Sequence, residues 1–449
     1  MPEFKGVMED FNTTLDALRD FVAYVGPVLT QRQEQTMNAA GKTAARFHVA
    51  SLLTDENDLE TSDIEDGVKQ SLIAARSILT GAMPGIPADK ISEARNKIMG
   101  VVPVKIVDGK IQLDCNDPAT PELIAHDKAI EKLRKEIRLL RESALMALTS
   151  RSEWFVAQLI HLYFDMHPEA AGMSEPFFSL DALTSLQTID DARDVLIDHK
   201  VESIMRLSFE DWLLFFGEKL KLGLSYLQSD KSRLAEIFKR RNLIVHNGGR
   251  VSRKYLKEVD AALSAGLKPG DLVEIAPDYL NASIDLIEHQ FILVGAELWK
   301  KLEPTDPTRG SLLSSLAVQC LTEQRWMTAR GFSYFGMNDK NQSEANRLYC
   351  QVNYWQSFKW SGQYDEIRDE VEKADFSAKG PLYQLAHAAL TDDFECFFSL
   401  LPRVLDSGEL LKAQLTSWPL FQGMRLDPRF APFCPTISDV KIDGESGPN

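Results

Sequence analysis

The chain has 449 residues, is 44% hydrophobic and 26% charged, and carries a net charge of −16, a make-up expected of a soluble globular protein with room for two or three domains. Net acidity argues against wholesale coating of nucleic acid. Apolar runs such as "FVAYVGPVL" at Phe21–Leu29 fall far short of the ~20 residues that span a bilayer, and the opening "MPEFKGVMED" lacks the basic start and apolar core of a secretion signal.

In chain order, "DFNTTLDALRDFVAYV" has helical apolar spacing, with Asp10 and Asn12 as candidate caps. The acidic stretch "TDENDLETSDIEDG" reads as a solvated loop. "VVPVKIVDGKIQLD" (Val101–Asp114) alternates around Asp108-Gly109, the signature of a β-hairpin. "NDPATPEL" (Asn116–Leu123) is a connector into a long, charge-laced helix over "LIAHDKAIEKLRKEIRLLRESALMALTS", whose mixed polar face reads as solvated surface. A second helix, "SEWFVAQLIHLYFDMHPE", follows with Ser150 or Ser152 as cap and Pro168 as stop. "SFEDWLLFFGEKLKLGLSYL" starts at an N-cap Ser208. A basic helix then runs from about Ser232 to His246 and stops at Gly248-Gly249, and "DYLNASIDLIEHQFILVGAELWKKL" closes the set.

"EPTDPTRG" (Glu303–Gly310) reads as a Pro-rich linker. Beyond it, "KWSGQYDEI" resembles the turn and second-helix start of a tetratricopeptide repeat, with Gly362 in the turn and Tyr364 packing it. Phe394 repeats the Tyr364 position 30 residues later. The usual period is about 34 residues, and Ile367 and Phe397 stand where a small residue belongs, so the reading stops at degenerate helical repeats with Trp355 and Trp360 in their core. The fold class is mainly α. Its expected parts are 1–122, a mostly helical regulatory or sensor region with one short hairpin; 123–302, a helical bundle; 311–435, repeats similar to tetratricopeptide repeats; and 436–449, a disordered tail.

The chemistry concentrates in "KRRNLIVHNGG" (Lys239–Gly249). Nine Lys/Arg and one acid, Glu236, lie between Lys231 and Lys257, a compact basic island on an acidic protein and the footprint of a polyanion. At 100° per residue from Leu234, Leu234, Ile237, Phe238, Ile244 and Val245 share one apolar face. Arg241 points into the middle of that face, and Asn242 and His246 lie together beside it. A buried guanidinium needs a partner: a carboxylate such as Glu136 or Glu153, a helix C-terminus, or a phosphate. His246 occupies the last turn, at the negative end of the helix dipole, and Asn247, Gly248 and Gly249 form the C-cap.

Arg241 directly followed by Asn242, with His246 after four residues, resembles the R-x4-6-H motif of the HEPN superfamily, over roughly Asp127–Leu302. The resemblance implies a helical bundle with the motif at the end of a late helix, and a homodimer whose two motifs form one composite site. It also implies metal-independent cleavage of RNA, tRNA among the candidates, in bacterial antiviral defence of the abortive-infection type. On that reading Arg241, His246 and Asn242 are catalytic. Lys239, Arg240, Asn247, Arg250, Arg253 and Lys254 contact RNA, the flanking regions receive a protein trigger, and no cofactor, metal or membrane is involved. The alternative is a non-catalytic HEPN scaffold that binds RNA or a protein through the same basic face. A third is a repeat-containing interaction protein with an inert bundle. Toxins of this kind that pair with a nucleotidyltransferase antitoxin carry a Tyr two residues after the His, where this chain has Gly248, so control by that partner is not expected.

The remaining candidates read as structural. His161 and His167 are six residues apart, the wrong spacing for zinc on one helix face. His48, His126, His199, His289 and His387 are isolated. Cys115, Cys320, Cys350, Cys396 and Cys434 form no C-x-x-C pair and read as reduced thiols of a cytosolic protein.

Overall fold

The computed structural model describes residues 3–55, 59, 66–81, 86–114, 116–171, 186 and 188–434. Among them the chain is mainly α, with a single two-stranded hairpin. Among the described residues no helix is long and apolar enough to cross a membrane. The tail at 436–449 and most of the acidic stretch after Thr54 lie outside the described residues.

Two compact units form, one from Met1–Arg19 with Ala144–Asn449 and one from Asp20–Ser143. The division differs from the expected boundary near residue 122, because two helices are far longer than the sequence signals suggest. Helix α1 spans Phe4–Thr54, so Asp10 and Asn12 are interior positions and not caps. The Asn12 amide instead donates to Asp16 at 3.0 Å. The two helices expected on either side of Ser150 are one, Ala119–Met166 (here α4). Ser152 does not cap it but lies buried inside it, its hydroxyl donating to the Leu148 carbonyl at 2.8 Å.

In the Asp20–Ser143 unit, α2 (Asp66–Thr80) and α3 (Ala88–Val101) precede β1 (Val104–Val107) and β2 (Lys110–Leu113). The hairpin forms as expected, with Val107 opposite Lys110. Asp108 and Gly109 both take positive φ, 51° and 74°, the geometry that matches strand twist. Val104 and Ile111 join Leu53, Leu72 and Leu79 in its core.

In the other unit, α5 (Ile189–Met205), α6 (Phe209–Leu214), α7 (Lys231–Asn247), α8 (Arg253–Glu258) and α9 (Pro277–Leu302) make up the bundle region. Ser208 caps α6 as expected, in a reciprocal box with Asp211, but the regular helix ends after six residues in one wide π turn, Phe215–Lys219. Helix α9 is buried on nearly every side. Phe291 on it meets Phe11, Phe155, Phe209 and Phe238 in one aromatic stack, which fixes α7 against α4, α6 and α9 and sets where the basic helix end emerges.

Helices α10 (Thr308–Thr322), α11 (Trp326–Asn338), α12 (Glu344–Trp360), α13 (Arg368–Lys373), α14 (Pro381–Leu390), α15 (Phe394–Asp406) and α16 (Lys412–Ser417) complete the chain as stacked helical hairpins. Trp355 is fully buried in their core, and Gly362 turns the chain at φ 78°. The stretch read as a linker is a tight joint. Arg309 is fully buried, 2.8 Å from Asp339, and donates to the Glu303 and Pro304 carbonyls, so Glu303–Gly310 separates no compact units.

Candidate functional site

Helix α7 ends as its sequence dictates. Gly248 and Gly249 adopt φ 57° and 78°, and their amides donate back to the Ile244 and Leu243 carbonyls at 3.1 and 3.2 Å, satisfying groups that a helix end leaves open. The chain then turns back. The Val251 amide donates to the Asp271 carbonyl at 2.8 Å and the Val273 amide to the Gly249 carbonyl at 2.9 Å. Leu243, Val251, Tyr255, Val259 and Val273 bury together there. This second small core corrects the expected wheel: Leu243 on the far side of α7 is buried, and Val245 is 51% exposed.

Arg241 finds its partner in a carboxylate. Its Nη2 donates to Oε1 of Glu153 on α4 at 2.5 Å and its Nη1 to Oδ1 of Asn242 at 3.0 Å. Glu136, the other candidate, pairs with Lys132 on its own helix at 3.8 Å. Lys239 donates to Glu210 Oε1 at 2.6 Å and to the Glu258 carbonyl at 3.0 Å. Burial raises the Glu210 carboxyl, but the hydrogen bonds from Lys239 and its own backbone and the Lys239 charge outweigh it and leave the group below its ordinary range.

Arg240 does not join this surface, contrary to its expected role on RNA. Its side chain is 11% exposed. It donates to Glu236 at 2.6 Å and lies over the Tyr279 ring, 3.9 Å from the centroid. Glu236 also accepts from the Tyr255 and Tyr279 hydroxyls, each at 2.6 Å. Burial pushes both hydroxyls up, and the Glu236 carboxylate adds to it, so both remain donors. This network serves the core and leaves the polyanion surface one cation poorer.

His246 and Asn242 are exposed on the same side of α7, and His246 has no hydrogen bond or ion pair to any described residue. Two adjoining cavities open here. The larger, about 620 Å³, takes in Glu153, Glu210, Phe238 and Arg241; the smaller, about 360 Å³, takes in His246, Asn247, Ser252 and Tyr255. Lys239, Asn242, Lys254 and Glu258 line both. Within one chain, then, Arg241 and His246 face neighbouring cavities that share one wall. Arg250 and Arg253 line neither. Both are exposed, the Arg250 guanidinium donating to the Gly270 carbonyl at 3.1 Å. Lys254 is 82% exposed, 3.9 Å from Glu258.

Sequence reasoning named Glu153 but passed over Glu210 and Glu258. Glu258 carries a local signal, standing four residues after Lys254. Glu210 carries none, since an acid after an N-cap serine reads as capping. Among the described residues no group of three or more His, Cys, Asp or Glu is placed to hold a metal ion. The site combines a free imidazole, a guanidinium with two of its nitrogens engaged, and an amide between them. That donor set is suited to proton transfer beside a phosphate. No protein-family model, curated protein or solved structure matches this chain.

Proposed function

We propose that this protein is a metal-independent endoribonuclease of the HEPN type, cutting RNA by attack of the ribose 2′-oxygen on the adjacent phosphorus. The observation that carries the reading is His246: an unencumbered imidazole at the end of α7, sharing a cavity with Asn242, which in turn accepts a hydrogen bond from Arg241. RNA brings its own nucleophile. One His246 removes the 2′-OH proton, the P–O5′ bond breaks, and the His246 of a second copy protonates the departing 5′-oxygen, leaving a 2′,3′-cyclic phosphate and a 5′-hydroxyl. Arg241, oriented by Glu153 and Asn242, stabilises charge on the phosphorane. In this reading the protein is a cytosolic homodimer of bacterial antiviral defence. The C-terminal hairpins, similar to tetratricopeptide repeats, and the N-terminal region receive the trigger.

One observation favours the scaffold alternative: Arg241, Lys239 and Lys254 each have a carboxylate within ion-pair distance, an arrangement that also suits a site which binds without cutting. Incubation of the purified full-length protein with total RNA, followed by mapping of the new ends, separates the two. Discrete cuts bearing cyclic phosphate and 5′-hydroxyl ends are expected. Intact RNA across protein concentrations at which the RNA is bound leaves the scaffold.

A further inference from the structure

Four cations line the larger cavity, and each has a glutamate within ion-pair distance. Arg241 meets Glu153 at 2.5 Å, Lys239 meets Glu210 at 2.6 Å, Arg206 meets Glu202 at 2.5 Å and Lys254 meets Glu258 at 3.9 Å. Three of those carboxylates, Glu153 on α4, Glu210 on α6 and Glu258 on α8, belong to the wall of the same cavity. In this cavity the three cations contributed by the basic island, Lys239, Arg241 and Lys254, are matched one for one by carboxylates.

We propose that Glu153, Glu210 and Glu258 set the specificity of this groove by occupying its cations, so that a strand presenting several adjacent phosphates enters and a mononucleotide or inorganic phosphate does not. The inference rests on the RNA-cleaving reading of the site and assigns what selects its substrate. A lone phosphate that reaches Arg241 gains one ion pair, releases Glu153 from another, and then lies beside the freed carboxylate. The exchange is close to even, because exposed and half-exposed ion pairs are of similar small strength whichever anion completes them. A strand changes the balance. Once its first phosphate is engaged, the next arrive at high effective concentration, and several pairs exchange without further loss of translational freedom. The resident carboxylates also mute the salt response. Each phosphate contact releases a counterion from the RNA, but each displaced carboxylate takes up a cation from solution.

The test uses full-length protein carrying His246→Ala, so that the probe survives, and two probes: a short labelled single-stranded RNA and AMP. Glu153→Gln with Glu210→Gln keeps the side-chain shape and an acceptor oxygen while removing the competing charges. The expected result is about tenfold tighter RNA binding, a salt slope steeper by about 0.7 for each freed contact, and AMP binding that becomes measurable. Glu258→Gln, at a carboxylate 43% exposed, gives the same direction with a smaller effect. It stands in if the pair of substitutions lowers the melting temperature. Unchanged affinity and slope, or AMP binding by the parent protein as tight as that of the variant, overturns the proposal. Failure of the protein with His246 intact to cut RNA, together with tighter binding by the glutamine variants, removes the nuclease reading and leaves the selection mechanism in place.

Discussion

Replacing His246 with alanine separates chemistry from folding. The side chain is exposed in the last turn of α7 and bonds to no described residue, so its loss removes little buried surface and leaves no buried group unsatisfied. The helix end is held by other means: the Gly248 and Gly249 amide bonds and the burial of Leu243 and Ile244. The stability change is therefore expected within about 0.5 kcal/mol, the range of surface substitutions. Leu243→Ala, beside it but 4% exposed, should cost about 2–5 kcal/mol. Against that flat stability, cleavage should fall by about 10²–10⁴-fold, the usual contribution of a positioned acid–base group, equivalent to about 3–5 kcal/mol of barrier. The assay is RNA cleavage measured beside thermal melting and light-scattering mass on the same preparations. A His246→Ala protein that melts and weighs as the parent does and still cuts at the parent rate refutes the assignment.

Three further outcomes are expected. Arg241→Ala frees the Glu153 carboxylate, whose side chain is 34% exposed to water, and should cost no more than about 1 kcal/mol, the range for solvent-screened ion pairs. Adding Glu153→Ala should restore part of that stability and none of the cleavage, and a strictly additive double mutant in melting experiments would show that the pair is not coupled. Cleavage should persist in EDTA because side chains fill every role; loss with chelator and rescue by a divalent ion would place a metal in the mechanism. The His289 imidazole is held down to about 4 by burial, against the pull of Asp230 in the other direction. The unfolded chain therefore binds the extra proton first, and stability should fall by about 3 kcal/mol as pH drops from about 6.5 to 4. His289→Leu should flatten that part of the stability–pH profile, and an unchanged profile by chemical denaturation would assign the acid sensitivity elsewhere.

Local rules written in the sequence determined a good deal of this protein. Asp108-Gly109 set the hairpin because both residues tolerate positive φ. Ser208 capped its helix through Asp211, and Gly248-Gly249 ended α7 beside His246, so the Arg241–Asn242–His246 series could be placed at a helix end before any contact was known. The placement of Asn242 and His246 on one side followed from helix geometry alone. Helix lengths were less legible. Ser152 carries a capping signature, yet inside α4 its hydroxyl bonds to the Leu148 carbonyl, because burial of the flanking apolar residues outweighs a cap. What only the tertiary structure decided is which charges meet. The basic island was counted along the chain, where Glu236 is its one acid, but Coulomb interactions act through space. Packing of α4 and α6 against α7 brings Glu153 and Glu210 onto Arg241 and Lys239, from 88 and 29 residues away in sequence. The same packing turns Arg240 inward onto Glu236 and Tyr279, and leaves Val245 outside, while the segment returning after Gly249 buries Leu243 through Val251, Tyr255 and Val273. A periodicity reading defines one buried face, whereas α7 is covered on two sides by elements whose positions depend on contacts far apart in the chain.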